Sequence, residues 1–188
     1  TVFDGPIHKL LLPAIEPASK RIADRALLGL SADQRLLVTT GAANPNKRIL
    51  EIVEVLGSHP ELFSETVYAV VGQIDSNYKA KVLSTAERFG ASGRIRLFDD
   101  FVPDDLLEAY LRHADICLTL RHPIVESASA SLIEAMQAQK AIVVNDSGFY
   151  AEIPDDCLRK ITPGCEATEL APILKELLTD QGLCRRLG

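Results

Sequence analysis

The sequence predicts an α/β fold, a doubly wound Rossmann-like parallel sheet of about six strands with helices on both faces. Two observations lead to this prediction: short apolar runs alternate with amphipathic helical segments, and several of the apolar runs end at a glycine. Continuous apolar runs are typical of strands that are buried on both faces, as they are in parallel sheets. Ligands of such sheets bind beyond the carboxyl ends of the strands.

The first 34 residues differ from the rest of the chain. Pro6, Pro13 and Pro17 interrupt this segment, and a helical stretch follows at about 18–28. We therefore predict a linker or entry arm over residues 1–34, packed on a single domain of residues 35–188. The chain begins without methionine and ends inside a polar helical pattern, which we interpret as a fragment of a longer protein.

Strands and helices are predicted in alternation along residues 35–188. Residues 35–40 (RLLVTT) form a buried strand that ends at Gly41. The helix after it carries apolar residues at the spacing i, i+3, i+4 and i+7, which are Ile49, Ile52, Val53 and Leu56. Further strands are predicted at 66–71, 94–98, 115–120, 141–145 and 157–161, and further helices lie between them and after the last.

Composition excludes several classes of function. A formal net charge of −6, with no basic stripe, argues against a nucleic-acid-binding protein. No apolar run approaches the ~18 residues of a membrane span, and no signal peptide opens the chain. The four cysteines form no C-x-x-C pair, which favours reduced thiols and a cytoplasmic location. Neither His113 nor His122 has partners at metal-ligand spacing, so we predict no metal and no cofactor.

Residues 126–136 (ESASASLIEAM) form the segment around which the predicted site is arranged. Small residues crowd a turn, and Ser131 with Glu134 has the S-x-x-E spacing of a capping box at a helix start. The exposed N–H groups of such a start, together with the helix dipole, form an anion site. Glu126 and Glu134 flank this site, and we predict that they accept hydrogen bonds from sugar or ribose hydroxyls. The alternatives are a capping role for Glu134 and a solvent-exposed carboxylate at Glu126.

This E-x7-E spacing, followed by Ala135 and Met136, resembles the donor-site motif of retaining nucleotide-sugar glycosyltransferases of the two-Rossmann-domain (GT-B) class, family 4. Three further segments resemble that family in the same order. GAANPNK from Gly41 is similar to its G-R-x4-K loop, RIRLFDDFVPDDLL to a strand with an acidic turn, and KAIVVNDSGFYAEI to KPVVATDVGGxPEV. The resemblance covers roughly residues 36–188.

The resemblance implies a donor site built from several parts of the chain. Lys47 matches the diphosphate-binding lysine of the family, Glu134 the acceptor of both ribose hydroxyls, and Glu126 the carboxylate beside the donor sugar. Backbone amides at 128–130 would hold phosphate and sugar, and the backbone at Val102 would hold the base. Catalytic roles are assigned to Glu126 and Lys47. The predicted donor-binding residues are Gly41, Lys47, Arg48, Val102, Arg121, Glu126, Ala128, Ser129, Ala130 and Glu134.

The chain also departs from the family pattern. Ala42 stands where the motif has an arginine, and Arg48 or Arg121 is the replacement that we consider for the missing charge. The pair Lys47 and Arg48 has the alternative interpretation of two solvated surface cations. Motif glycines are replaced at three further positions, Asp100, Ser129 and Gln139.

The resemblance implies the donor-binding, C-terminal half of a hexosyltransferase that moves a hexose from UDP-hexose or GDP-hexose to a hydroxyl acceptor with retention. Polysaccharide or glycoconjugate biosynthesis is the expected pathway. The expected partners are the donor and an N-terminal domain of the same chain, with no nucleic acid and at most a peripheral contact with a membrane. The alternatives are another GT-B enzyme, either an epimerase or a phosphorylase, and a non-catalytic nucleotide-binding or scaffold module. The fragment alone is expected to be inactive.

Overall fold

The computed structural model describes residues 25–125 and 128–188. Residues 1–24 and 126–127 lie outside the described residues. The three prolines of the predicted entry arm, most of the helical stretch predicted at 18–28, and Glu126 therefore receive no structural description.

Six strands form a single sheet, and they follow the predicted alternation with helices. The strands are β1 Arg35–Thr40, β2 Thr66–Gln73, β3 Ile95–Phe98, β4 Ile116–Leu118, β5 Ala141–Asn145 and β6 Arg159–Ile161. The helices are α1 Ile49–Ser58, α2 Pro60–Phe63, α3 Ser76–Arg88, α4 Asp104–His113, α5 Ala130–Gln137, α6 Glu166–Thr179 and α7 Gln181–Leu187. Short 3-10 helices occupy Arg25–Leu28, Pro45–Lys47, Ser92–Arg94 and Gly148–Glu152.

The sheet has the strand order β3-β2-β1-β4-β5-β6, and all five neighbouring pairs are parallel. The chain moves outward from β1 to β3 in one direction, then returns to β4 beside β1 and moves outward in the other direction. This reversal makes the gap between β1 and β4 the topological switch point of the sheet. The predicted doubly wound parallel fold is confirmed.

Two apolar cores cover the two faces of the sheet, as the predicted helices on both faces require. Leu37 of β1 faces the core that is closed by α1, α3, α6 and α7, whereas Leu36 and Val38 face the core that is closed by α4 and α5. The four predicted core positions of α1, Ile49, Ile52, Val53 and Leu56, are all at most 1% exposed. Burial of each such side chain contributes about 1.5–3 kcal/mol, so packing against the sheet fixes these helices.

The described end of the entry arm packs against the second core. Leu28 and Leu30 are buried among residues of that core. Arg25 donates to the backbone carbonyl of His113 at 3.0 Å, and its guanidinium lies 3.5 Å from Asp115. These contacts hold residues 25–34 at the amino edge of the sheet.

The boundaries of four strands differ from the prediction. β2 extends to Gln73 rather than ending at 71, and β3 begins at Ile95 rather than at 94. β4 covers Ile116–Leu118 rather than 115–120, and the carboxylate of Asp115, just before its start, accepts the N–H of Leu36. β6 begins at Arg159 rather than near Cys157. Within the described ranges, no helix has the length and apolar character that crossing a membrane requires. The four cysteines are free thiols.

Candidate functional site

The loops that follow β1 and β4 flank the switch point at the carboxyl edge of the sheet. The loop after β1 holds residues 41–48, and the loop after β4 holds residues 119–125. A backbone hydrogen bond of 2.8 Å from His122 to the carbonyl of Asn46 joins the two loops. Helix α5 begins at the same edge. In doubly wound folds this crevice is where ligands bind, so the topology places the predicted site residues at the expected location.

The carbonyl oxygen of Thr40, the last residue of β1, is the meeting point of the site. Lys47 donates to it from Nζ at 2.5 Å, and Ser131 donates from Oγ at 3.3 Å. Lys47 is only 3% exposed, so its alternative interpretation as a solvated surface cation is wrong. The structure therefore brings the loop after β1 and the first turn of α5 together around a buried ammonium group.

Two glycines allow the loop after β1 to come close to the first turn of α5 and to β2. Gly41 has φ +77°, a conformation that favours glycine, and a Cβ there would lie 3.1 Å from Lys47 Nζ and 3.4 Å from Ser131 Oγ. Gly72 of β2 passes so close that its Cβ would lie 2.5 Å from the carbonyl carbon of Gly41. Both positions require glycine because backbone and ammonium occupy the space that a side chain would need.

The N-cap of helix α5 lies two residues before the predicted capping serine. Ser129 is the N-cap, and its Oγ accepts the N–H of Leu132 at 3.2 Å. The capping box that we predicted from Ser131 and Glu134 is therefore wrong, because Ser131 lies inside the helix and its hydroxyl is used on Thr40. Glu134 is the fifth residue of α5, which is beyond the position from which a side chain can return to the cap. The capping role for Glu134 is excluded.

Glu134 lies in an electrostatic environment shared with Lys47. Partial burial raises the pKa of Glu134, the Lys47 ammonium opposes this shift, and Asp104 adds to it. The carboxylate is thus held near a cation but loses hydration. A carboxylate in this state favours a ligand that brings hydroxyl donors, because those hydrogen bonds restore what burial removed.

The backbone before and at the start of α5 is open to solvent. Ala128 and Ala130 are exposed, and Ser129 is partly exposed. The first N–H groups of a helix have no partner within the helix, so they remain available to an anion. Glu126, the predicted second carboxylate, lies outside the described residues. The assignment of residues 126 and 128–130 to the donor stays a prediction.

The two arginines that we considered as replacements at Ala42 are both engaged within the protein. Arg48 makes ion pairs with Glu51 at 2.7 Å and with Glu166 at 3.3 Å. Arg121 is 7% exposed, and its Nη1 donates to the carbonyl of Leu120 at 3.0 Å. Their assignment to donor binding stays a prediction, and the structure gives both residues contacts that stabilise the two loops.

Val102 follows β3, the edge strand that lies two strands away from β1. Its side chain is 8% exposed and packs in the second core, so only its backbone faces the carboxyl edge. Asp100 is absent from the positive-φ residues of the described chain, so its site does not require the motif glycine. Gln139 differs, because its φ of +54° lies in the left-handed region that favours glycine.

Sequence analysis missed two buried polar residues behind the site, Asn145 and Glu166. Asn145 at the end of β5 is fully buried, and Glu166 at the start of α6 is 1% exposed. Their side chains contact each other at 2.9 Å. Nothing in their spacing marks them, because they lie 21 residues apart and belong to no shared motif.

Other features of the described chain lie away from this edge or are absent from it. A cavity of about 300 Å³ opens at the amino edge of the sheet, between the start of β5 and helices α6 and α7. It cannot be the predicted donor site, since it lies at the opposite ends of the strands. Among the described residues, no three His, Cys, Asp or Glu side chains gather as metal ligands would.

A doubly wound parallel sheet with a buried lysine, a helix start and a carboxylate close to its switch point defines a Rossmann-like domain. Comparison with family models identifies the family to which this domain belongs. Residues 20–188 match the model described as glycosyl transferases group 1. The chain belongs to this family of glycosyltransferases. None of the curated proteins searched matches the chain.

Several solved structures of glycosyltransferases have the same fold as this chain. The C-terminal domain of the glycosyl transferase group 1 protein LpcC from Francisella tularensis has a TM-score of 0.75 at 17% identity, over 91% of this chain and 88% of that one. WaaG, a glycosyltransferase involved in lipopolysaccharide biosynthesis, has a TM-score of 0.73 at 26% identity, over 87% of this chain and 42% of that one. Anabaena HepE in complex with UDP-glucose has a TM-score of 0.74 at 19% identity, over 87% and 44%. The chain thus spans less than half the length of WaaG and HepE.

Proposed function

We propose that this chain binds a nucleotide diphosphate hexose as the donor half of a retaining glycosyltransferase. The observation that carries the proposal is the convergence of Lys47 and the first turn of α5 on the carbonyl of Thr40, with Glu134 on the same helix. Family membership supports the reaction class. HepE was solved with UDP-glucose, which supports a nucleotide-sugar donor, and WaaG acts in lipopolysaccharide biosynthesis, which supports a glycoconjugate pathway.

The geometry suggests how such a donor would lie. Its diphosphate would occupy the space between the Lys47 ammonium and the backbone amides at 128–130, where a point charge and free N–H groups act together. Its ribose would lie beside Glu134, because one carboxylate can accept hydrogen bonds from two vicinal hydroxyls. The base would then extend toward the backbone of Val102 at the sheet edge.

Catalysis follows from where charge develops. As the bond between the sugar and the diphosphate breaks, negative charge accumulates on the leaving diphosphate. Lys47 and the oriented amides stabilise that charge more in the transition state than in the bound donor, which lowers the barrier. In this mechanism the diphosphate itself helps to deprotonate the acceptor hydroxyl, and no protein nucleophile is required. Glu126 would lie beside the donor sugar.

The acceptor contacts are proposed to come from a second domain. This chain corresponds to 42% of the length of WaaG, so more than half of such a protein has no counterpart here. We therefore expect residues 1–188 to bind the donor nucleotide without transferring sugar. Detection of transfer by these residues alone would contradict this expectation.

Titration calorimetry with UDP, GDP and ADP tests the proposal. The wild-type protein is expected to bind one of the three, and Glu134→Ala is expected to weaken that binding by about tenfold, since hydrogen bonds to a charged group contribute about 1.5–3 kcal/mol. The matched control is Glu54→Ala, which removes an exposed carboxylate of α1. The proposal fails if no nucleotide binds, or if the two variants weaken binding equally.

A second candidate, a non-catalytic nucleotide-binding or scaffold module, is favoured by one observation. Ala42 removes an arginine of the motif, and both arginines considered as replacements are engaged by the protein itself. Such a module would bind the nucleotide weakly or not at all. Joining this chain to an N-terminal glycosyltransferase domain and assaying transfer would separate the candidates, because only an intact donor site would then support turnover.

A further inference from the structure

The first turn of α6 contains a buried carboxylate that no motif explains. Glu166 is 1% exposed, and burial of a charge is unfavourable unless partners compensate it. Its Oε1 accepts from Asn145 Nδ2 at 2.9 Å, and its Oε2 accepts from Arg48 Nη2 at 3.3 Å. Burial alone would raise the pKa of Glu166, but its own backbone N–H, the Asn145 amide and Arg48 outweigh that effect and lower it. Glu166 is therefore a compensated, ionised group.

Asn145 extends this contact to the loop after β4. Its side-chain oxygen accepts the backbone N–H of Arg121 at 2.7 Å, while its nitrogen donates to Glu166. An asparagine suits this position because its amide both accepts and donates. The three residues Arg48, Glu166 and Asn145 thus connect the loop after β1 with the loop after β4, in addition to the bond from His122 to Asn46.

The connection ends next to Lys47. Arg48 has φ +56°, a left-handed conformation that is unfavourable for a residue with a side chain. The ion pair with Glu166 ties its side chain to α6, whereas the pair with Glu51 lies within the same helix start. Arg48 directly follows Lys47, so the pair with Glu166 restrains the backbone from which Lys47 reaches Thr40.

We propose that Glu166 and Asn145 are positioning residues for the diphosphate subsite, which hold Lys47 in register with the loop after β4 without touching the donor. This inference rests on the proposed function. It assigns α6 and β5 a role in donor binding that the family motifs do not give them. The expected consequence is selective, because the network reaches the Lys47 loop and not the carboxylate of Glu134 that would hold the ribose.

The test compares Glu166→Gln with Glu51→Gln by calorimetry, using UDP with UMP, and GDP with GMP. Both substitutions remove a carboxylate partner of Arg48, but Glu51 belongs to the same helix start as Arg48 and does not reach Asn145. For the nucleotide that the wild type binds, Glu166→Gln is expected to lower the ratio of diphosphate to monophosphate affinity by about tenfold. Glu51→Gln is expected to change that ratio by less than about twofold. Asn145→Ala, which removes both the donor and the acceptor, gives a second route if Glu166→Gln does not fold, with the same fall in the ratio expected.

The affinity ratio separates positioning from a general structural role. A loss of packing would weaken diphosphate and monophosphate binding in parallel and leave the ratio unchanged. An unchanged ratio in a folded Glu166→Gln or Asn145→Ala protein overturns the inference while leaving the proposed function intact. An equal fall in Glu51→Gln overturns it as well. Failure of the wild type to bind any nucleoside diphosphate overturns the proposed function, and the inference with it.

Discussion

The two edges of the sheet handle charge in opposite ways. At the amino edge, Asp115 accepts the N–H of Leu36 at 2.7 Å and faces the guanidinium groups of Arg25 at 3.5 Å and Arg35 at 3.3 Å. Opposite charges of the protein meet there directly. At the carboxyl edge, the Lys47 ammonium and the Ser131 hydroxyl both donate to a single neutral carbonyl, that of Thr40.

Because of this difference, we expect the amino edge to contribute mainly to the stability of the fold and the carboxyl edge mainly to ligand binding. A carboxylate enclosed by two arginines and an N–H has its hydrogen-bonding capacity largely used, so its removal is expected to destabilise the fold. At the carboxyl edge, the first N–H groups of α5 have no partner within the helix, so this edge favours an anionic ligand. We therefore expect substitutions at the amino edge to change the free energy of unfolding, and substitutions at the carboxyl edge to change the affinity for nucleotide.

Lys47→Met is expected to have the largest effect. The substitution keeps the approximate length of the side chain but removes the charge that we propose for the diphosphate. We expect about 100-fold weaker binding of the nucleoside diphosphate, since a charge-assisted hydrogen bond contributes up to about 3 kcal/mol. Calorimetry measures the change, and Lys81→Met, which removes an exposed lysine of α3, is the control. Equal affinity of Lys47→Met and the wild type would contradict the expectation that the carboxyl edge binds the nucleotide.

Asp115→Ala is expected to destabilise the protein by about 2 kcal/mol, because it leaves the N–H of Leu36 and two guanidinium groups without this acceptor. Urea unfolding followed by circular dichroism gives the free energy. Asp155→Asn serves as the control, since Asp155 pairs with Lys160 at 2.7 Å but is 86% exposed, and its stability should equal that of the wild type. Loss of nucleotide affinity in folded Asp115→Ala would show that the two edges are not independent.

Glu134→Gln is expected to weaken nucleotide binding about tenfold at neutral pH while leaving stability equal or slightly higher. The expected change in stability follows from the raised pKa of Glu134. Because the folded state holds this proton more tightly than the unfolded state does, the wild-type protein loses stability as pH rises through the folded-state pKa. Removing the ionisation removes that loss.

The same shift predicts a pH dependence of binding. Protonation of Glu134 removes the acceptor for the ribose hydroxyls, so wild-type affinity should decline with falling pH earlier than the ordinary pKa of a glutamate would give. Glu134→Gln should lack that component of the pH profile. Calorimetry between neutral and acidic pH measures both proteins, and parallel profiles would exclude Glu134 as the titrating acceptor.

Gln139→Gly is expected to have the smallest effect, a stabilisation of about 0.5–1 kcal/mol with unchanged nucleotide affinity. Gln139 follows α5 with φ +54°, and glycine adopts that conformation without the strain of a Cβ. Part of the gain is offset by the larger entropy of the unfolded chain. Thermal unfolding measures the difference, with Gln137→Gly inside α5 as a control that should instead destabilise. A lower melting temperature for Gln139→Gly would contradict the strain argument.

The sequence allowed the fold to be predicted because its signals are local. Apolar runs, helical periodicity and glycines at strand ends are visible within single segments. The segments that they mark are strands and helices of the observed fold. Strand ends were less well predicted, because they depend on contacts between distant segments, such as that of the Asp115 carboxylate before β4 with the N–H of Leu36 in β1.

The site was predicted in part, because some of its determinants are distant in sequence. In the run SASAS, Ser129 and Ser131 are equivalent as capping candidates. The choice depends on a hydrogen bond from Ser131 to Thr40, which lies 91 residues away. The engagement of Arg48 likewise depends on Glu166, 118 residues away. The motif located Lys47 and Glu134, but only the folded chain shows which neighbours surround them.

The contact of Gly72 with Gly41 has an evolutionary consequence. Backbone lies on both sides of this contact, so no rotamer change can make room for a Cβ. A library of variants selected only for folding should therefore retain glycine at 72, while accepting alanine at Gly93, where a Cβ would meet no atom within 4 Å. Because Gly41 opens the Lys47 loop, selection for a folded sheet also preserves the shape of the anion subsite. A descendant of this chain that no longer bound a donor would still inherit the shape of that loop.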